Sequence, residues 1–541
     1  MPLAAPRAGT LASLRAAFGS RRIGAVALQS FSSGLPLGLV WIALPAWLTY
    51  QGVDIKTVGL FSLAQAPWTF KFLWAPAMDR WSPRFLGRRR SWMVISEALL
   101  AAGIGLLVLQ AQAPRVGVVA ALAIFIAFCS ASQDIAIDAY AVEVLERSEI
   151  GMVVGARNAM SRFALLLSGA VAITLGQRLG WEVVFFGLAL LWLPLIGITV
   201  WSPEPPAVFR APRTLRDAVF EPLVGIFRRS RSIEILAFLL FFKFGENLAT
   251  ALTRPFLIQK CFSPEDVGLA TATIGLIAII GGAFVGGWMS DRIGLGRALW
   301  LFGIIQAVGF LGYILVDRLT PGAPCASGAA ALAPLTQPLA HRLVMYAAIG
   351  VENCCQGMGT GALGVLLLRL TEKQFSATQY ALFSSVFGLG RTLVGPPAGF
   401  LVDAMGWTPF FLVSVVASAP GLLLLQRFAP FGAREPDLEA VEERERHPVT
   451  RARLAATSLT AGAAGFLVTA STSALLAALK EARLRPDSSP EFAGELSRLL
   501  SPAGAAGWLR LAGPIVVGVV LGLAAAALTA ARRGSRSPAP R

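Results

Sequence analysis

Apolar residues gather in runs of twenty or more along this chain, broken by short polar or basic turns, from residue 23 to residue 531. A helix needs about 20 such residues to cross the hydrocarbon core of a bilayer. Fourteen spans are predicted, near 23–50, 57–77, 92–112, 116–142, 154–178, 181–201, 232–260, 266–290, 298–317, 340–370, 377–402, 407–428, 452–479 and 508–531. The predicted fold class is therefore an all-α polytopic membrane protein.

Composition agrees and excludes other classes. Of 541 residues, 55% are hydrophobic and 14% charged, a balance that a soluble fold of this size rarely shows. The net charge is +16, but the arginines sit in clusters between apolar runs rather than on one face, so nucleic acid is not an expected partner and lipid bilayer is. These clusters read as topology signals. Arg80, Arg84, Arg88, Arg89 and Arg90 follow the second span, Arg210, Arg213, Arg216, Arg228, Arg229 and Arg231 the sixth, and Arg292 and Arg297 the eighth.

The turns "QGVDIK" and "KCFSPED" lie on the other face and carry few basic residues. Both termini are then expected in the cytosol. The acid-free opening "MPLAAPRAGTLASLRAAFGSRR" reads as a basic cytosolic tail rather than a transit peptide, because no short apolar core with a small-residue cleavage site follows it. The Ala/Pro/Gly-rich loop "LTPGAPCASGAAALAPLTQPLA" is expected to be a mobile external segment. Cys129, Cys261, Cys325, Cys354 and Cys355 show neither metal spacing nor a disulfide framework, and are expected to be small apolar fillers.

The chain also repeats itself. "VGLFSL" opens span two and "VGLATA" opens span eight; each span ends in an aspartate–arginine pair, Asp79–Arg80 and Asp291–Arg292. "RLGWEVVFF" opens span six and "DAMGWTPFF" span twelve, while Arg162 in span five has a counterpart in Arg391 of span eleven. These correspondences predict two parallel six-helix bundles, 1–201 and 232–428, joined by a basic cytosolic linker at 202–231. A cytosolic linker at 429–451 then leads to two added helices and a basic tail at 452–541. In such proteins the substrate site lies between the halves.

"GWMSDRIGLGR" keeps Gly287, Asp291, Arg292 and Gly294 in the G-x-x-x-D-R-x-G order of the loop after the second helix of each major-facilitator half. "APAMDRWSPRFLGRRR" is its stretched first-half equivalent, with Ala75 in the glycine position. An aspartate closing a helix end beside a basic turn can latch neighbouring helices. Asp79, Arg80, Arg88, Arg89, Asp291 and Arg292 are the gating candidates. The alternative is that Arg88, Arg89 and Arg90 only fix topology and meet anionic lipid.

"SGLPL", "KTVGLFSL", "FKFLWAPAMDR", "GRRRSW", "AFCSASQDI", "GMGTGALG", "FSATQYALFS" and "VGPPAG" together resemble the AmpG-type muropeptide permeases, over residues 27 to 428. The resemblance implies a proton-driven importer of N-acetylglucosaminyl-1,6-anhydro-N-acetylmuramyl peptides in the bacterial inner membrane. The long Ala/Pro loop and the linker "EPDLEAVEERERHPVTRAR" depart from the family pattern. A major-facilitator transporter of another bulky anion, such as acetyl-coenzyme A or a different sugar conjugate, is the alternative.

Charges inside the spans supply the chemistry, since each raises the cost of insertion by roughly 2.5–3.5 kcal/mol on translocon scales and is functional by default. Asp134 and Asp138 are four residues apart and share a helical face, with Gln133 beside them and Ser130 one turn back. Two carboxylates so close in low dielectric cannot both ionise cheaply, so one is expected to hold a proton. The competing reading pairs Asp138 with arginines of the 80–90 loop. Glu246 and Glu352 complete the proton-coupling candidates. Arg162, Arg254 and Arg391 are candidates for meeting substrate carboxylates, with Trp41 and Trp68 for sugar rings and Gln133 as a further polar contact. Static Glu–Arg pairs joining helices are the bland alternative.

Gly34, Pro36, Gly38, Gly357, Gly359, Gly361 and Gly364 permit close helix approach or bending. His341 and His447 stand apart, and no nucleotide-binding loop or G-x-S-x-G elbow occurs, so neither an enzyme nor a cofactor or metal site is expected. A transport-derived sensor would share the fold. The protein is expected to act as a monomer.

Overall fold

The computed structural model describes residues 20–54, 61–81, 83, 85–205, 212, 214–320, 337–438, 449–484 and 491–532. Arg84, Arg210, Arg213, Cys325, His447 and the loop expected to be mobile, at 321–336, lie outside them. Two compact units emerge: Met1–Ala218 with Ile233–Asp437, and Val219–Ser232 with Leu438–Arg541.

In the first unit, α1 (Arg21–Tyr50) crosses first, with a π-turn at Leu39–Ala43. The stretch α2 is a chain of short pieces, Phe61–Gln65, Ala66–Phe70, Lys71–Leu73 and Ala75–Arg80. Pro67 and Pro76 cause the breaks, because proline starts a helical turn readily but cannot continue one. Then come α3 (Arg90–Val108), α4 (Val116–Val144), α5 (Ile150–Leu179) and α6 (Trp181–Trp201). The connecting helix α7 (Leu215–Phe227) belongs to the second unit from Val219 onward, and the second half of the first unit follows it in the chain. It comprises α8 (Ser232–Gln259), α9 (Glu265–Ile293), α10 (Leu295–Leu319), α11 (Leu339–Leu370), α12 (Ser376–Met405) and α13 (Trp407–Phe428).

Among the described residues, eleven helices are long and apolar enough to cross a membrane. The three other expected spans correspond to the broken α2 and to α11 and α12, which are continuous helices. α11 carries Glu352, Asn353 and Gln356 at its centre, and α12 carries Arg391. α2 drops out because its pieces are too short to cross, whereas polar residues in α11 and α12 mark those helices as lining something other than lipid.

The α11 glycines serve close approach rather than bending. A side chain at Gly357 or Gly361 would start 2.2 or 2.5 Å from carbonyl oxygens of α9, and one at Gly282 or Gly286 of α9 would meet α11 as tightly, at 2.1 and 2.2 Å. In the first half Gly34 and Gly38 press α1 onto α5 in the same way.

The second unit contains α14 (Arg451–Leu484), the short α15 (Phe492–Leu500) and α16 (Gly504–Arg532). α14 and α16 pair along small residues: Gly462 meets Gly518, and Gly522 meets Ser458. Cys261 corrects the cysteine reading, being disulfide-bonded, whereas Cys129, Cys354 and Cys355 are free. Sequence spacing could not reveal this, because a single bridge leaves no local pattern.

Candidate functional site: a latched interface between two helical halves

At one end of the first unit, each half holds a helix N-terminus of the other. Asp79, at the end of α2, is fully buried and accepts from the backbone N–H and hydroxyl of Thr378 in the first turn of α12, at 2.9 and 2.7 Å. Orphan N–H groups and the positive end of the helix dipole favour a carboxylate there. Arg89 bridges Asp79 (2.7 Å) to Glu143 at the end of α4 (2.8 Å from Nε), and also donates to Ser376, whose hydroxyl donates to Glu143 (2.6 Å). Arg88 adds a 3.1 Å bond to Asp79 and reaches the Gln374 carbonyl. Glu143 and Asp79 together outweigh the burial that disfavours a charge on Arg89 and raise its pKa; burial, then the adjacent Arg89 charge, lower that of Arg88.

The second latch mirrors the first. Asp291, at the end of α9, takes the backbone N–H of Gly151 in the first turn of α5, and Arg369 links Asp291 (3.3 Å) to Glu435 (2.8 Å). The helices touch here: a side chain at Gly287 would start 2.0 Å from the Gly151 carbonyl oxygen.

The arginine named by the D-R motif is not the latch in either half. Arg292 lies over the Trp288 ring at 5.1 Å, and Arg80 is half-buried with no ion pair among the described residues. Arg88, Arg89 and Arg369 do the holding, because a side chain directly following the capping aspartate points away from the helix end that the aspartate meets.

Deeper in the interface, the acids of α4 divide. Asp138 binds Lys71 of α2 (3.1 Å) and Arg157 of α5, not the arginines of the 80–90 loop. Arg88 and Arg89 of that loop are taken by Asp79 and by Glu143, which lies five residues nearer the end of α4, and Arg90 is taken by Glu204. Arg157 also hydrogen-bonds Ser30 and, across the interface, Tyr380 of α12. Asp134 keeps partial exposure and accepts from Ser33 of α1 (2.5 Å), within electrostatic reach of Lys71. A cavity of about 260 Å³ lies between the halves; Ser33, Asp138 and Arg157 line it from one side, Thr360, Tyr380 and Ser384 from the other.

In the second half, Glu246 is held by Lys243 (2.5 Å) and by the Gln356 amide (2.8 Å), and Glu352 accepts from Tyr313 (3.2 Å) and Asn353 (2.9 Å). Glu352 stays within electrostatic reach of Glu246 and Lys243. The static Glu–Arg pairs of the bland alternative do not form among the described residues: an intrahelical lysine three residues from Glu246 reaches it first. Arg162 of α5 and Arg391 of α12 therefore remain without an ion pair among the described residues, each in the electrostatic field of the other. Arg254 is exposed and likewise unpaired among the described residues.

Trp41 and Trp68 meet edge to face at 5.8 Å and pack on the first-half core, their indole N–H groups without acceptors. Gln133 points away from the cavity, bonding Ser32 and Glu97. Sequence reasoning passed over Lys71, Glu97, Arg157 and Lys243, although each is a charge inside an apolar run, the signal that did find Asp134.

Residues 26–344 match the family model of the Major Facilitator Superfamily. The chain is 40% identical over 410 residues to the anhydromuropeptide permease of Escherichia coli K12, covering 75% of this chain and 80% of that one. It is 28% identical over 420 residues to putative transporter AmpG 4 of Rickettsia conorii, covering 75% and 96%. Among solved structures, it resembles the proton:xylose symporter XylE (TM-score 0.55, 12% identity, 77% of this chain and 98% of that one). It also resembles the human organic anion transporter MFSD10 (TM-score 0.53, 16% identity, 75% and 99%). Those two likenesses concern the fold alone. With the doubled latch, the family model and the 40% identity to a permease in agreement, the chain belongs to the AmpG-type permeases of the major facilitator superfamily.

Proposed function

We propose that this protein imports anhydromuropeptides, sugar-peptide anions, into the cytosol, using the proton gradient and alternating access between its two halves. The observation that carries the cargo class is the pair Arg162 and Arg391: two guanidinium groups from opposite halves, both unpaired among the described residues, suit the carboxylates of a peptide stem. The printed name of the 40% identical relative supports the sugar half of that cargo. Asp134, beside Lys71 and the Asp138–Arg157 pair, is the proton carrier in this reading, with Glu246 and Glu352 as its second-half counterparts.

The arginine-rich latch end faces the cytosol, as basic loops do. The disulfide at Cys261, on the opposite face, suits an oxidising periplasm. With its latches closed, the protein rests in the state that offers its cavity to the periplasm. One proton entering down about 150 mV supplies roughly 3.5 kcal/mol, and each negative charge that enters with the cargo offsets one such proton, so the potential drives accumulation only when protons outnumber the cargo's net negative charges. The protein works as a monomer of the bacterial inner membrane in this account.

Uptake into proteoliposomes of a radiolabelled N-acetylglucosaminyl-1,6-anhydro-N-acetylmuramyl tripeptide, under an imposed gradient, tests the proposal. Accumulation that a protonophore abolishes, and that neither N-acetylglucosamine nor acetyl-coenzyme A inhibits, is expected. Preferential uptake of acetyl-coenzyme A, or cargo binding without accumulation, would replace this reading with another anion carrier or with a sensor.

A further inference from the structure

Behind the cavity wall, Glu97 of α3 is completely buried and forms no ion pair among the described residues. Two neutral side chains bond it, and two more neutral side chains bond those. The Thr199 hydroxyl of α6 lies 2.8 Å from both carboxyl oxygens, and Gln133 Nε2 of α4 donates to Oε1 at 3.2 Å. Gln29 of α1 donates to Thr199 (2.6 Å), and Ser32 of α1 accepts from Gln133 (2.9 Å).

The charged groups on the same elements are all engaged elsewhere. Arg21 reaches the Trp201 carbonyl, Arg22 pairs with Glu146, Arg90 with Glu204, Asp138 with Lys71 and Arg157, Glu143 with Arg89, and Asp134 with Ser33; Glu182 begins α6 at its opposite end. A carboxylate stripped of water and given no cation is among the costliest groups a membrane protein can carry, unless it takes a proton.

The hydrogen count around Thr199 accommodates both forms. When Glu97 is ionised, the single Thr199 hydrogen and one Gln133 hydrogen serve the carboxylate. When Glu97 is protonated, its new O–H donates to Thr199 Oγ1, which still accepts from Gln29, while the Thr199 hydrogen turns to the Leu195 carbonyl, 3.3 Å away. Glu97 and Thr199 are then both satisfied, and the only covalent change is one O–H bond, made with a proton from water and broken when it returns there. Gln133 Oε1 is buried and accepts from no donor among the described residues in either form, so the cluster offers more acceptors than hydrogens.

Adjacent residues tie this cluster to the cavity. Ser32 meets Gln133 and Ser33 meets Asp134 across the same turn of α1 and α4. A shift of α1 along α4 that frees Asp134 must therefore also break the Ser32–Gln133 contact that positions Gln133 on Glu97.

We infer that Glu97 is a second proton-binding site of the first half, read out through Thr199 and Gln133 and coupled to the cavity by the paired Ser32–Gln133 and Ser33–Asp134 contacts. This rests on the proton-driven reading above. The test compares wild type, Glu97→Gln, Glu97→Asp and Thr199→Val in proteoliposomes, using the radiolabelled tripeptide and measuring both gradient-driven uptake and gradient-free exchange across a pH series. Glu97→Gln keeps the shape and the hydrogen bonds but not the titration. It is expected to lose accumulation at least tenfold and flatten the pH profile while retaining exchange, and Glu97→Asp is expected to restore a pH-dependent profile.

Thr199→Val is expected to shift the pH midpoint without abolishing exchange; it carries the test alone if Glu97→Gln does not reach the membrane. Wild-type accumulation and an unchanged pH profile in Glu97→Gln, or an unmoved midpoint in Thr199→Val, would overturn the inference and leave the transport reading standing. Wild-type uptake that ignores a protonophore would overturn both.

Discussion

The two latches have the same plan and different surroundings. Asp79 and Arg89 are 0% and 1% exposed and share their charges with Glu143 and Arg88, whereas Asp291, Arg369 and Glu435 are 27%, 20% and 53% exposed. Removing one partner from a buried network leaves another charge stranded in low dielectric, while an exposed pair is replaced by water. The first latch therefore holds the interface, and the second releases easily. Under the alternating access proposed above, the buried contact defines the closed state and the exposed one opens first.

Breaking the buried latch should have the largest effect. Asp79→Ala is expected to destabilise the closed interface by about 3–5 kcal/mol, read as a fall in thermal stability in detergent and as exposure of the Arg88–Arg90 turn to a membrane-impermeant label. Gly287→Leu comes next: its side chain would start 2.0 Å from the Gly151 carbonyl oxygen, so α5 and α9 must part. Overpacking of that kind costs roughly 1–3 kcal/mol, and cysteine crosslinking between these helices should fall accordingly.

Arg162→Ala and Arg391→Ala leave the latches intact. Each is expected to weaken tripeptide binding about 10–100-fold, the value of a charge-assisted hydrogen bond, measured by tritiated-ligand titration. Binding of a neutral disaccharide should not change. Arg369→Ala should lower stability by less than about 1 kcal/mol, and Arg292→Ala, which only covers an indole, by less than about 0.5 kcal/mol in the same thermal assay. Equal effects of Asp79→Ala and Arg369→Ala would erase the distinction between the two latches.

The spans and the doubled D-R motif were legible because hydropathy and spacing are local properties. What the motif aspartates bind was not: Thr378 is 299 residues from Asp79, and no pattern in either stretch names the other. Helix rotation decided the remaining assignments. Asp138 and Glu143 both lie near the end of α4, and only their angular positions send one to Lys71 and Arg157 and the other to Arg89. Lys243, not an arginine, pairs with Glu246, because three residues along one helix is a shorter reach than a crossing between helices. Glu97 stayed hidden since its partners come from α1, α4 and α6, which meet only after the half has folded.

The central claim is that these capping contacts form and break as the halves exchange access. Spin labels beside the Arg88–Arg90 turn and beside Gln374, in nanodiscs, would report the distance across the buried latch by pulsed electron resonance. A closed distance in the absence of cargo is expected, with a second, longer population appearing when the tripeptide and an acidic outer face are supplied together, and dominating in Asp79→Ala. A single closed distance under all of these conditions, in a preparation that transports, would contradict the account.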